Sequence, residues 1–142
     1  MKTELLNEIF EQMDEVSKGH CTEAEKFAKE YVDGNENTDL LVQAVKVMDI
    51  GKIKISSAIL SKGPELTDDE REEIAKHGYY GYKILKDNKA DDTIANAILL
   101  HNGEEKAKEV WKQNENIDFP EVDTATKRLA IVVGMIDSFI GM

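Results

Sequence analysis

The chain has 142 residues, 41% apolar and 33% charged, with proline at only two positions; this is long enough for one domain with its own core and is the composition of a folded helical protein. A formal charge of −11 opposes nucleic acid phosphate and anionic lipid, because non-specific binding to both depends on Lys and Arg. The single Cys21 rules out an internal disulfide, and no run approaches the roughly 18 consecutive apolar residues of a membrane span.

Met1 leads directly into an acidic amphipathic pattern without a secretory signal, so the expected compartment is the cytoplasm. Leu5, Leu6, Ile9, Phe10, Met13 and Val16 recur at helical spacing, opposite Glu4, Glu8, Glu11 and Glu15. They predict an additional N-terminal amphipathic helix over residues 1–18, ended by Ser17-Lys18-Gly19. A second helix is predicted from His20 to Tyr31, with Ala24, Phe27, Ala28 and Tyr31 on its apolar side, and a break at Asp33-Gly34-Asn35. The third runs from about Thr38 to Met48, burying Leu41, Ala44, Val45 and Met48, and leaves Asp49 at its end before Gly51.

Ile53-Lys54-Ile55 alternates like a strand but has no partner, so an extended loop into a short turn at Ser57 to Leu60 is expected, and no sheet. Thr67 and Glu70 form a capping box that opens a helix running to about Lys86. Further helices are expected from Asp91 to His101, from Glu104 to Gln113, and from Asp123 onward, the last carrying Leu129, Val133, Ile136 and Ile140 on a buried stripe. The fold class is therefore all-α, a single compact bundle of about six to eight helices over residues 1–142.

The three histidines, His20, His77 and His101, each adjoin an apolar face, and Asp49 adds a carboxylate. Four donors from four helices can converge on a cation at the centre of a bundle. Met48 continues an apolar stripe, and a thioether suits hard metal ions poorly, so it reads as core. Tyr79, Tyr80 and Tyr82, beside glycines, read as packing rather than as a stacking platform for a base.

The stretch Met48-Asp-Ile-Gly-Lys-Ile-Lys-Ile-Ser56, then Ile59-Leu-Ser-Lys62, Glu65-Leu-Thr67 and His77-Gly-Tyr-Tyr-Gly81-Tyr-Lys-Ile-Leu85, resembles the HD-GYP branch of the HD superfamily, whose pattern is HDIGKIGIP, an ILxKPGxLT loop and HPxxGxxIL. Ala97-Ile-Leu-Leu-His101 is similar to the approach to that family's HHE motif, and Leu129 to Phe139 to its last helix. The resemblance implies a helical HD-type domain in which paired metal ions activate a water and polarise a phosphoryl oxygen. Position by position it makes His20, Asp49, His77 and His101 metal ligands, and Asp49 and Lys52 the catalytic candidates, with Lys52 contacting substrate phosphate.

Met48 stands where the HD motif has its His, Asn102 where HHE has its second His, and Gly134 near the place of the final ligand Asp; the GYP loop is missing. Asp137, one turn along, and Glu104, three residues after His101, are the candidate replacement ligands. Two functions follow. In one, the domain is a degenerate, non-catalytic binding or regulatory module for a partner protein or a small ligand, and the departures put this reading first. In the other, it is a phosphohydrolase for a small phosphoester or nucleotide, with one divalent ion (Fe, Mn, Zn or Ni) held by three His and one Asp. No organic cofactor is expected, nor a nucleic acid or membrane partner; homo-oligomerisation is left open.

Overall fold

The computed structural model describes residues 2–31 and 36–140. The break expected at Asp33-Gly34-Asn35 and the side chain of Tyr31 lie outside what is described. The described residues form helices and connecting turns, with no strand among them, as the composition and periodicity require. The helices are α1 (Lys2–Glu11), α2 (Glu15–Tyr31), α3 (Glu36–Val47), α4 (Ser57–Leu60), α5 (Asp68–Ala75), α6 (His77–Asp87), α7 (Asp92–Leu100), α8 (Glu104–Asn114) and α9 (Thr124–Ile140). A 3-10 turn, Ile50–Lys54, joins α3 to α4, and a second one, Gly63–Glu65, precedes α5.

The first helix is shorter than its apolar stripe predicts. The amides of Gln12 and Met13 close onto the carbonyls of Ile9 and Phe10 in a tightened last turn. Asp14 Oδ1 then accepts the Ser17 amide at 2.7 Å and starts a new helix. Residues 1–18 are thus not one helix: α2 begins at Glu15 and runs through Gly19, so His20 lies in its second turn. Val16 rotates out of the stripe to 85% exposure, whereas Leu6, Ile9 and Met13 stay buried.

The capping box forms as expected, with Thr67 Oγ1 accepting from Glu70 N at 3.1 Å and Glu70 Oε1 accepting from Thr67 N at 2.9 Å. The helix it opens stops at Ala75, because α5 lies on the surface with no buried residue while the next segment buries His77, Gly78, Tyr79, Gly81, Ile84 and Leu85. The chain turns at Lys76, and His77 opens α6 instead of sitting in mid-helix.

α3 packs against α1, α2, α7 and α9, and α7 against α6, α8 and α9, so these two helices with α9 form the centre. The main core gathers Ile9, Val45, Met48, Ile50, Leu85, Ile94, Ile98 and Val133. A second cluster joins Tyr79 and Leu99 to Trp111. Tyr79, Tyr82 and Phe119 each meet the Trp111 ring edge to face at 5.6 to 6.0 Å, so these tyrosines pack, as expected, and present no stacking platform. Trp111 Nε1 donates to the Ile117 carbonyl at 2.8 Å and ties the loop before α9 to this cluster.

Candidate metal centre

Two close backbone approaches place the centre. A Cβ on Gly51 would stand 1.8 Å from the His77 carbonyl oxygen and 2.7 Å from the Gly81 amide. Only glycine lets the turn after α3 lie directly on the backbone of α6, and this brings Asp49 to His77. A Cβ on Gly134 would stand 2.4 Å from the His101 carbonyl oxygen, so α9 seats against the end of α7 at that residue. Asp137, one turn further along α9, then faces inward toward α2.

Asp49 is fully buried, and neither carboxylate oxygen accepts a hydrogen bond. Around it stand Lys52 Nζ at 3.5 Å, His77 Nε2 at 3.8 Å and His20 Nε2 at 3.9 Å. His20 Nε2 makes a 2.6 Å contact with Asp137 Oδ1. His77 and His101 approach Nε2 to Nε2 at 3.2 Å. The donor atoms form two groups, Asp49 with His77 and His101, and Asp49 with His20 and Asp137. Asp49 belongs to both.

The histidine pair explains what these groups suit. His77 Nδ1 lies 2.8 Å from the Ile74 carbonyl, and His101 Nδ1 lies 2.6 Å from the Ile98 carbonyl. A carbonyl only accepts, so each Nδ1 carries the proton and each Nε2 presents a bare lone pair. Two lone pairs facing at 3.2 Å repel unless a proton or a metal ion lies between them. Two imidazole nitrogens about 2.1 Å from one tetrahedral ion stand about 3.4 Å apart, so the pair is already near ligand spacing. Backbone carbonyls bonded to the far nitrogens are the usual means of orienting metal-binding histidines. Asp49, a buried carboxyl group without a hydrogen bond, is the complementary feature. The donor set therefore fits a divalent ion.

Burial first, and then the neighbouring His101, push the His77 imidazole down to about 3 from its usual 6.5. The unfolded chain takes up a proton at His77 over this interval while the folded chain does not. Stability present above pH 6.5 is accordingly lost as the pH falls toward 3, by at most about 1.4 kcal/mol per pH unit. In metal-free protein the melting temperature should fall more steeply between pH 6.5 and 4.5 for wild type than for His77→Asn, which thermal melts followed by circular dichroism would show. Parallel curves would mean that His77 titrates normally in the fold.

The structure brings together His20, Asp49, Lys52, His77, His101 and Asp137. Glu104 stands apart: its carboxylate pairs with Lys108 at 3.0 Å and Lys127 at 3.4 Å, outside both donor groups. The helix does break before Glu104, at Asn102-Gly103, where Gly103 takes a positive φ. Met48 is core, with no exposed surface. Asn102 reaches back to His77, its Nδ2 lying 3.2 and 3.3 Å from the two ring nitrogens, which places the amide over the ring face. Sequence reasoning did not find that Asp49 sits in two groups, since that depends on the seating of α9.

An all-helical domain that draws histidines and aspartates to its centre from both ends of the chain is a recognisable class. A family model for the HD domain matches residues 17–142, and the chain belongs to the HD domain family. Comparison with curated proteins and with solved structures gave no match. Domains of this family typically bind a divalent metal, and no helix among the described residues is long and apolar enough to cross a membrane.

Proposed function

We propose that the chain is a metal-dependent phosphohydrolase acting on a small phosphoester or nucleotide, with a centre like that of the HD-GYP branch but fewer donors. The observation that carries this reading is Asp49, a fully buried carboxylate whose oxygens accept no hydrogen bond and which belongs to both histidine-containing groups. A domain kept only as a scaffold gains nothing from such a charge, because apolar residues in its place are commonly neutral or stabilising. This consideration outweighs the missing ligands, which on the sequence alone favour a non-catalytic module.

A divalent cation held here supplies Lewis acidity toward a phosphoryl oxygen and acidifies a bound water. Asp49, His77 and His101 would form one donor set, and Asp49, His20 and Asp137 the other. Each set has three protein donors, because Met48 and Asn102 replace ligands of the HD-GYP pattern, and three donors leave positions for water and substrate. The carbonyls of Ile74 and Ile98 hold the two imidazoles as Nδ1–H tautomers aimed at the centre. Lys52, part-exposed and 3.5 Å from Asp49, offers the local positive charge a phosphate needs on a chain of net charge −11. Asp49 seals the inner side, while His20, Asp137 and Lys52 keep about a fifth to a quarter of their side chains exposed and line the approach.

The test is elemental analysis of untagged protein, then titration with manganese, iron, zinc and nickel while hydrolysis of bis(p-nitrophenyl) phosphate is followed. Stoichiometric metal with turnover is expected, and His77→Ala should weaken metal binding on the order of 100-fold or more with helical content retained. Full occupancy in His77→Ala would displace the centre from these residues. Metal without turnover on a panel of phosphomonoesters, phosphodiesters and nucleotides would return the domain to the regulatory reading.

A further inference from the structure

The outer face of α9 is apolar and uncovered. Ile131, Met135 and Phe139 are 62%, 65% and 57% exposed, although every other large apolar side chain described on this helix is at least half-buried. Their spacing of four and four puts them in one stripe, and Arg128, three residues before Ile131, shares that face. Along Ile131, Met135 and Phe139 runs a trench of about 750 Å³, lined also by Leu100, His101, Ala130 and Gly134. At the other end Phe139 packs on Phe27 of α2 with ring centroids 4.9 Å apart, and a depression there is bordered by Glu23, Lys26 and Glu30, two carboxylates to one ammonium.

We propose that this face pairs with the same face of a second copy, α9 against α9 in antiparallel sense about a twofold axis near Met135. The stripe is self-complementary, since Ile131 and Phe139 lie four residues on either side of Met135. The antiparallel operation sets Ile131 of one copy against Phe139 of the other and drives the phenyl ring toward the trench beside Ile131. It also matches charge. Arg128 forms no ion pair among the described residues, and neither do Glu23 and Glu30. The operation carries each arginine to the end of its partner's stripe where Glu23 and Glu30 outnumber Lys26. Parallel pairing would oppose arginine to arginine, and so is disfavoured despite burying the same apolar residues. An isologous contact of this kind closes on itself and stops at two copies, which allows a chain of net charge −11 to associate locally without further growth.

Sedimentation equilibrium of the full chain is expected to give a dimer that Met135→Glu converts to monomer with unchanged helical content, because two carboxylates would meet on the axis. Arg128→Glu and Glu30→Arg should each weaken the dimer about tenfold, and the double variant should recover most of that loss. A wild-type monomer throughout, a dimer indifferent to Met135→Glu, or a double variant no better than the singles would each overturn the proposal. None of these variants alters a residue of the metal centre.

Discussion

Asp49→Asn is expected to raise the melting temperature of the metal-free protein while removing tight metal binding and reducing phosphoester hydrolysis to near background. The two effects share one cause. Wild-type folding must bury a carboxylate that finds no hydrogen bond; its ion-pair partner Lys52, 3.5 Å away, is part-exposed and can turn to water, so the neutral, nearly isosteric amide lessens the cost by about 1–3 kcal/mol. A cation reverses the order, since an ion present at about a hundred times its dissociation constant stabilises the fold by about 2.7 kcal/mol. Thermal melts of both proteins with EDTA and with manganese should therefore cross: the variant higher in EDTA, the wild type higher in manganese. If Asp49→Asn is the less stable protein in both, Asp49 is a structural carboxylate satisfied within the fold and the proposed centre fails.

Gly51→Ala should produce the largest loss of stability among single methyl additions, about 3 kcal/mol or more, together with loss of metal. Its new carbon would fall 1.8 Å from the His77 carbonyl oxygen, and neither backbone can yield by rotating a side chain. The turn would have to lift from α6, taking Asp49 away from His77. Gly19→Ala is the control: it sits within α2, and nothing lies within 4 Å of an added Cβ. There the same substitution should stabilise by about 0.5–1 kcal/mol. Urea denaturation of the three proteins would separate the cases, and a Gly51→Ala chain as stable as wild type would show that the close approach is not needed.

The helical class, the buried stripes of α3 and α9 and the capping box at Thr67 were legible because each depends on local spacing or on a local hydrogen bond. The bends at Asp14 and Lys76 were less so. Both occur where an apolar pattern runs on without interruption while the face it buries changes, and that change is decided by tertiary packing. The candidate ligand residues could be nominated from motif spacing, but Gly134 and Asp137 stand three apart on one helix, and spacing cannot choose between them. The choice is made by the His101 carbonyl, which leaves no room for a side chain at 134 and so directs the carboxylate of 137 to His20. Glu104, adjacent in sequence to the His101 segment, is turned toward Lys108 and Lys127 instead.

The contact between His20 and Asp137 joins residues 117 positions apart, and this bears on when the protein becomes competent. Helices close in sequence can pair early in folding, whereas a contact of this span waits until α9 has docked. Docking of α9 both brings Asp137 to His20 and seats Gly134 on the carbonyl of His101. The grouping of Asp49 with His20 and Asp137 therefore depends on the docking of α9, whereas Asp49, His77 and His101 come from elements that precede it.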